Sequence, residues 1–256
     1  MASAPDINLK APLRHLPGVQ AVSIGSYVPD VVVRNEDLTR FGCDPQWIVQ
    51  RTGINERRHA PWNQSTSDLA VNAAQRAIAR AGVAASEIDL IVLGTFTPDL
   101  PVPSTACQVQ NKLGIRCTAF DVSAACAGFM HALITGAQFV ATGCSNLALV
   151  IGADTTSRIV DPHDKKTFPL FGDGAGAMLV KRGSSEQGLI AYCMGSDGSG
   201  EELLCTKAGG SRKPGTAETL AAGEHFMRMD GRAVFKWAVR LIAKSIRDVL
   251  QTFVES

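Results

Sequence analysis

The chain has 256 residues, 45% of them hydrophobic, with 24 glycines and 12 prolines; it is long enough to bury a substantial core as one large domain or two smaller ones, and too apolar for a disordered chain. Its 25 basic and 24 acidic residues leave a formal net charge of +1. Such a balance gives no whole-protein field that would draw the molecule to nucleic acid or an anionic membrane, so any anionic ligand must be held by local groups.

The segment Met1 to Pro17 lacks the apolar core of a signal peptide. No stretch approaches the roughly eighteen uninterrupted apolar residues of a membrane span. The expectation is a cytoplasmic protein without membrane insertion, whose residues 1–18 form a flexible arm, a short organelle-targeting role being the alternative. Seven cysteines, at 43, 107, 117, 126, 144, 193 and 205, show no CxxC pair and no Cys/His cluster at zinc spacing. No metal site is expected, and most of the thiols read as small buried hydrophobes of a reducing compartment.

Val19 to Tyr27 reads as a strand, and Asn35 is the expected cap of a short helix. Gln46 to Arg51 is a second short helix closed by Gly53. Ser67 to Ala81 carries Leu69, Ala70, Ala73, Ala74, Ala77 and Ile78 at helical spacing, and Gly82 stops it. Leu90 to Gly94 is a continuous apolar strand of the kind buried on both faces of a parallel sheet. Ser104 to Leu113 is a helix, Thr118 to Val122 a strand, and Ala127 to Ala141 a nearly uncharged helix buried between layers. Leu147 to Ile151, Asp173 to Val180 and Gly188 to Met194 complete the strands. This alternation predicts an α/β fold with a largely parallel sheet. The last helix, Ala233 to Val254, carries a broad apolar stripe through Phe235, Ala238, Val239, Ile242, Ile246, Val249, Leu250 and Phe253 that needs a partner sheet.

Cys126 stands where a strand ends and a helix is expected to begin, in Ala119-Phe120-Asp121-Val122-Ser123-Ala124-Ala125-Cys126-Ala127-Gly128-Phe129. A helix N-terminus favours thiolate over thiol, which prepares a nucleophile. No histidine carries a motif that marks it as the base. His15, His59 and His163 lie in polar stretches and are expected to be solvated. His131, five residues on, is turned about 140° from Cys126 at about 100° per residue, so it is expected to pack or to face a partner. The position of His225 stays open. Gly172-Asp173-Gly174-Ala175-Gly176 has neither dinucleotide-loop spacing nor a following Lys-Ser/Thr, and predicts a close-packed turn.

The run Asp121 to Phe129 resembles the active-site segment of the β-ketoacyl-acyl-carrier-protein synthase III family. Four further stretches agree in order. Trp47-Ile48-Val49-Gln50-Arg51-Thr52-Gly53-Ile54 is similar to the family's WI-x-x-RTGI pattern, and Pro103-Ser104-Thr105-Ala106-Cys107-Gln108 to the segment lining the acyl pocket near the dimer interface. Phe171 to Ala177 resembles the FGDGAGA segment, and Ala208 to Pro214 with Met229 to Lys236 resembles the second-half signature.

The resemblance implies a thiolase-like, layered α/β fold. Residues 19–183 would form a first, complete half with the nucleophilic cysteine, and residues 184–256 the start of an incomplete second half. It implies that Cys126 accepts an acyl group from acyl-coenzyme A and passes it to the carbanion formed by decarboxylation of malonyl-acyl carrier protein, with no resident cofactor. It places Trp47, Arg51, Lys165, Gly231 and Phe235 on coenzyme A, Lys165 standing where the family often has arginine. Val102 replaces a bulky aromatic frequent in acetyl-selective members, which implies a longer or branched primer. Family members continue with a His-Gln-Ala-Asn segment and a Gly-Asn-Thr-Ser-like segment whose side chains drive decarboxylation, and neither occurs in these 256 residues. The expectation is therefore a synthase truncated at its C-terminus and usually homodimeric, the alternatives being a self-acylating or acyl-coenzyme A-binding protein that forms no carbon-carbon bond, or a subunit completed by a partner chain.

Overall fold

The computed structural model describes residues 11–254. Residues 1–10 of the expected arm, and the side chains of residues 252–254 with Phe253 among them, lie outside the described residues. In chain order come β1 (Arg14–Pro17), β2 (Val19–Tyr27), β3 (Val31–Arg34), α1 (Pro45–Thr52), β4 (Glu56–His59), α2 (Thr66–Ala81), β5 (Leu90–Gly94), α3 (Thr105–Leu113) and β6 (Thr118–Val122). They are followed by α4 (Gly128–Ala141), β7 (Leu147–Thr155), β8 (Asp173–Arg182), β9 (Gly188–Tyr192), β10 (Leu204–Thr206), α5 (Ala217–Ala221), β11 (Met227–Met229) and α6 (Gly231–Val254).

Five strands form the central sheet in the order β2-β8-β7-β5-β6. The sheet is mixed rather than largely parallel: β5 runs parallel to β6 and β7, whereas β8 is antiparallel to both β7 and β2. The continuous apolar runs of β5 and β7 correctly mark strands covered on both faces, but they carry no signal for the direction of β8 and β2. Nor are residues 14–17 loose, since β1 pairs antiparallel with β9. The β3–β4 and β10–β11 ribbons, each of short strands, had no sequence pattern long enough to reveal them.

Alternate residues of each strand serve opposite layers, as the pleat requires. Ile91, Leu93, Leu149, Ile151 and Leu179 pack with Ala70, Ala73, Ala74 and Ala77 of α2 and Ala106 and Val109 of α3. Leu90, Val92, Ala148, Val150 and Val180 pack with Ala132, Ala137 and Val140 of α4. The alanine face of α2 comes so close to β2 that a Cβ at Gly25 would fall 2.5 Å from Ala77 N. The crossovers through α3 and α4 thus lie on opposite faces, and the carboxyl ends of β5 and β6 flank the crevice where such a reversal opens a binding site. At that point β5 ends in Gly94, where a Cβ would collide with the Gly128 carbonyl and come within 2.8 Å of Phe129 N.

A satellite core joins Leu38, Cys43, Ile48, Val160, Phe168 and Met227, tying α1, the 156–171 connection and β11 together. Buried Arg57 organises it, donating to Val33 O at 3.1 Å, Asn35 Oδ1 at 2.7 Å and Pro169 O at 3.0 Å. Asn35 is therefore not a side-chain cap: its amide donates to Ile54 O at 2.7 Å, and a 3-10 helix, Glu36–Phe41, follows. His59, expected in solvent, is instead half-buried and packs edge-on to Phe168 at 5.8 Å between ring centroids, with Nε2 buried and unpartnered. Burial holds its pKa below the ordinary value, against the upward pull of Asp173 and of a hydrogen bond with the Phe171 backbone, while Arg57 adds to the lowering.

Two outcomes follow from these contacts. Gly94→Ala is expected to cost about 1–3 kcal/mol by overpacking, read in urea unfolding, and to slow alkylation of Cys126 because α4 must shift. Folded His59 takes up a proton less readily than the unfolded chain, so stability falls as pH drops through its ordinary pKa of 6.5. His59→Gln should flatten that decline between about pH 7 and about pH 5. Parallel pH profiles of urea midpoints for the two proteins would refute it.

Candidate active site

Cys126 lies in a 3-10 turn, Ala125–Ala127, two residues before α4, rather than on the first residue of the helix. Its side chain is exposed. Ala125 just before it has φ +44°, the sole positive φ at a non-glycine among the described residues. That conformation is unfavourable for an alanine and persists only where the surroundings impose it. They do so from both sides: Thr95 N donates to Val122 O at 3.2 Å before the turn, and Gly94 meets Gly128 after it.

The thiol opens onto a cavity of about 530 Å³, lined by Ala125, Cys126 and Phe129 on one side and by Ile24, Gly94, Gly152, Asp154, Gly174, Gly176 and Met178 on the sheet. Its floor is built from glycines for distinct reasons. A Cβ at Gly152 would come 2.8 Å from Phe129 Cβ, whereas one at Gly176 would meet nothing within 4 Å and only fill the cavity. The segment around Gly174 is accordingly the start of β8 rather than a compact turn, with close packing confined to Gly172, where a Cβ would lie 3.1 Å from Arg58 O. Asp173 between them is buried and accepts from Ala60 N at 2.6 Å, Ser157 N at 2.8 Å and Ser157 Oγ at 2.6 Å. Asp121, inside the cysteine motif, serves α3: its two oxygens accept from Thr105 N and Ala106 N, each at 2.7 Å. Sequence reading missed both roles, and the only sequence signal was an acidic residue inside each apolar run.

No histidine is among the residues lining this cavity. His131 has Nδ1 3.0 Å from Ala127 O and lines a separate groove with α6. His225 stacks on Phe226 with centroids 4.0 Å apart, and His163 lies edge-on to Phe41 at 6.0 Å. His15 is exposed on β1. Of the cysteines, only Cys43 is fully buried and Cys144 is exposed, so the reading of most thiols as buried was too broad. Partial burial, with Asp89 and Cys107 nearby, pushes the Cys117 thiol up to about 11. Among the described residues no group of three His, Cys, Asp or Glu comes together as metal ligands, and no helix is long and apolar enough to cross a membrane.

Of the residues expected on coenzyme A, Trp47, Arg51 and Lys165 come from segments that share the satellite core, whereas Gly231 and Phe235 lie on α6, which directly follows β11. Trp47, 45% exposed, and Arg51 stand one turn apart on the outer face of α1, which buried Ile48 pins down. Lys165 is exposed with its ammonium over Gly42, where a Cβ would fall 2.5 Å from Nζ. It also opposes the burial that raises the Cys43 pKa. Gly231 opens α6 just after Asp230 N donates to Leu203 O at 2.8 Å, and Phe235, one turn on, is 71% exposed. Among the described residues no hydrogen bond, ion pair or pocket joins the five side chains. Val102 is 82% exposed and does not line the Cys126 cavity.

Comparison with known proteins places this geometry. The family model for 3-oxoacyl-[acyl-carrier-protein] synthase III matches residues 120–198, which span the cysteine turn, α4 and β8. The β-ketoacyl-[acyl-carrier-protein] synthase III of Rhodopirellula baltica is 51% identical over 255 residues, covering 93% of this chain and 74% of the relative. That of Natranaerobius thermophilus is 46% identical, covering 90% and 71%. Among solved structures, the 3-oxoacyl-(acyl carrier protein) synthase III of Pseudomonas aeruginosa superimposes with a TM-score of 0.79 at 36% identity, covering 91% of this chain and 70% of that one. A 3-oxoacyl-(acyl-carrier protein) synthase of Burkholderia xenovorans gives 0.85 at 28%, covering 94% and 71%. The layered α/β architecture is of the thiolase type, and the chain belongs to the 3-oxoacyl-[acyl-carrier-protein] synthase III family.

Proposed function

We propose that Cys126 is the acyl-accepting nucleophile of a decarboxylative condensation that joins an acyl-coenzyme A primer to malonyl-acyl carrier protein. The observation that carries this reading is the exposed thiol on a clamped turn at the carboxyl end of β6, facing a glycine-floored cavity. In the first step the Cys126 sulfur attacks the thioester carbonyl carbon, the bond to the coenzyme A sulfur breaks, and coenzyme A leaves as the thiol carrying the proton. In the second, the carbanion left when malonyl loses carbon dioxide attacks the acyl-enzyme carbonyl and expels the Cys126 thiolate. Splitting the reaction at a thioester replaces one difficult bond formation by two easier transfers. Amides of the cysteine turn are the candidate donors to the tetrahedral oxyanion. Thioester exchange of this kind uses no resident metal or redox group.

Coenzyme A enters over α1. Trp47 offers a flat apolar face and Arg51 a guanidinium that both stacks and meets phosphate. Lys165 supplies a point charge, while Gly231 and Phe235 border the pantetheine path. Two copies of the chain form the working dimer, in the cytoplasm.

Incubation with acetyl-coenzyme A is expected to add the mass of one acetyl group, mapped to the Cys126 peptide and lost in Cys126→Ala. Unmodified protein at saturating thioester would sink the reading. Arg51→Ala and Trp47→Ala should each raise the acetyl-coenzyme A concentration needed for half-maximal acylation by on the order of tenfold, or about 1.4 kcal/mol. On addition of malonyl-acyl carrier protein, the 256-residue chain by itself is expected to yield no 3-oxoacyl product, because no histidine or asparagine side chain is among those lining the cavity. Product from that chain would require a different proton donor from the one the resemblance implies.

A further inference from the structure

Asp154, near the end of β7, lines the Cys126 cavity, yet neither transfer step gives it a task. Its Oδ1 accepts three hydrogen bonds, from Phe96 N at 2.9 Å, Thr95 Oγ1 at 3.0 Å and Thr97 Oγ1 at 3.1 Å. The last of these donors is itself locked: Thr97 Oγ1 accepts from Thr155 N at 2.8 Å, and the Thr97 carbonyl accepts from Thr66 Oγ1 at 2.6 Å. Burial holds the Asp154 carboxyl above its ordinary range, against the downward pull of those donors.

Thr95 connects this network to the nucleophile. Its amide holds Val122 O at 3.2 Å, immediately before the cysteine turn. A Cβ at Gly128, immediately after the turn, would lie 3.4 Å from Gly94 C and 3.6 Å from Thr95 N. The Gly94–Thr95 wall therefore touches the turn at both ends, and Asp154 holds that wall from behind. We propose that Asp154 is a positioning residue for Cys126, fixing Thr95 to Thr97 through Oδ1 so that the nucleophile turn stays clamped at Val122 and Gly128. The proposal rests on the reading of Cys126 as nucleophile.

Its test is the rate of Cys126 alkylation by iodoacetamide, followed by peptide mass and divided by the rate at Cys144, the exposed thiol beyond the far end of α4. Asp154→Ala should lower this ratio by on the order of tenfold. Asp154→Asn keeps a carbonyl oxygen whose two lone pairs still face the Phe96 amide and the threonine hydroxyls, and should stay within about twofold of the unsubstituted chain. A merely structural role would speed alkylation at both thiols together through unfolding, and would give no such rescue. An unchanged or raised ratio in Asp154→Ala, or Asp154→Asn falling as far, would overturn the proposal. If Asp154→Ala does not fold, Thr95→Val, nearly isosteric and lacking one of the three donors, should lower the ratio about threefold; an unchanged ratio there would overturn it equally. Failure of the chain to take an acetyl group would count against the acyl-transfer reading alone, since the alkylation ratio is read without coenzyme A.

Discussion

The contact on which the molecule depends is the backbone-to-backbone approach of Gly94 to Gly128. It occurs where β5 stops and α4 starts, and no side chain fits between them. Because α4 cannot seat without it, the contact sets the height of the cysteine turn over the sheet edge. β6 feeds the same point from the other side. It ends in Val122, whose carbonyl is held by Thr95 N, and just before that Asp121 caps α3 on the opposite face of the sheet. One strand end thus fixes two helices in opposite layers. Bonds from backbone amides to a carboxylate are each worth roughly 1.5–3 kcal/mol, so Asp121 alone gives this junction a firm anchor. The strained Ala125 is tolerated because the chain on either side of it has nowhere else to go.

The same economy of side chains explains the cavity. An acyl group attached to Cys126 needs room beside the sulfur, and room beside a sheet is made by leaving out Cβ atoms. Gly152 and Gly176 do so in different ways, the first yielding space to Phe129 and the second leaving it empty. Their neighbours Ala153 and Ala177 point to the α2 face, where they are buried in the core. On the α4 side of the same strands Ala148, Val150 and Val180 fill a core, and the side chains are left out only toward the thiol, at Gly152, Gly174 and Gly176.

How far this was legible in the sequence follows from the length of each signal. Residues 66–81 and 128–141 repeat an apolar pattern over several turns, and Leu90 to Gly94 is apolar throughout, so their elements and their burial were readable. The pairs β3–β4 and β10–β11 have three or four residues a strand, too few for a period to declare itself. The direction of β8 depends on the course of residues 156–172, a connection held by Arg57 and Asp173 across large sequence separations. His59 looked solvated because Arg57 and Arg58 precede it, yet strand alternation and Phe168 turn it inward. Cys126 was legible from its position between strand and helix, whereas Asp154, hidden at the end of an apolar strand, became visible only through the three donors that converge on it.

The walls of the cavity finally separate the two halves of the reaction. On the proposed reading, acyl transfer to Cys126 asks for a thiol, donors to an oxyanion and an empty volume, and the thiol, its candidate donors and the cavity arise within β5, β6, the cysteine turn, α4 and the ends of β7 and β8. Carbanion formation asks for hydrogen-bond donors aimed at a developing enolate on the far side of the acyl group. Of the residues that line the cavity, Ile24, Gly174, Gly176 and Met178 offer no side-chain donor, whereas the Thr156 hydroxyl does, and Ile24 is 57% exposed. On the proposed reading of Cys126, the lining residues serve acylation, and the donors for decarboxylation have to come from side chains other than Ile24, Gly174, Gly176 and Met178.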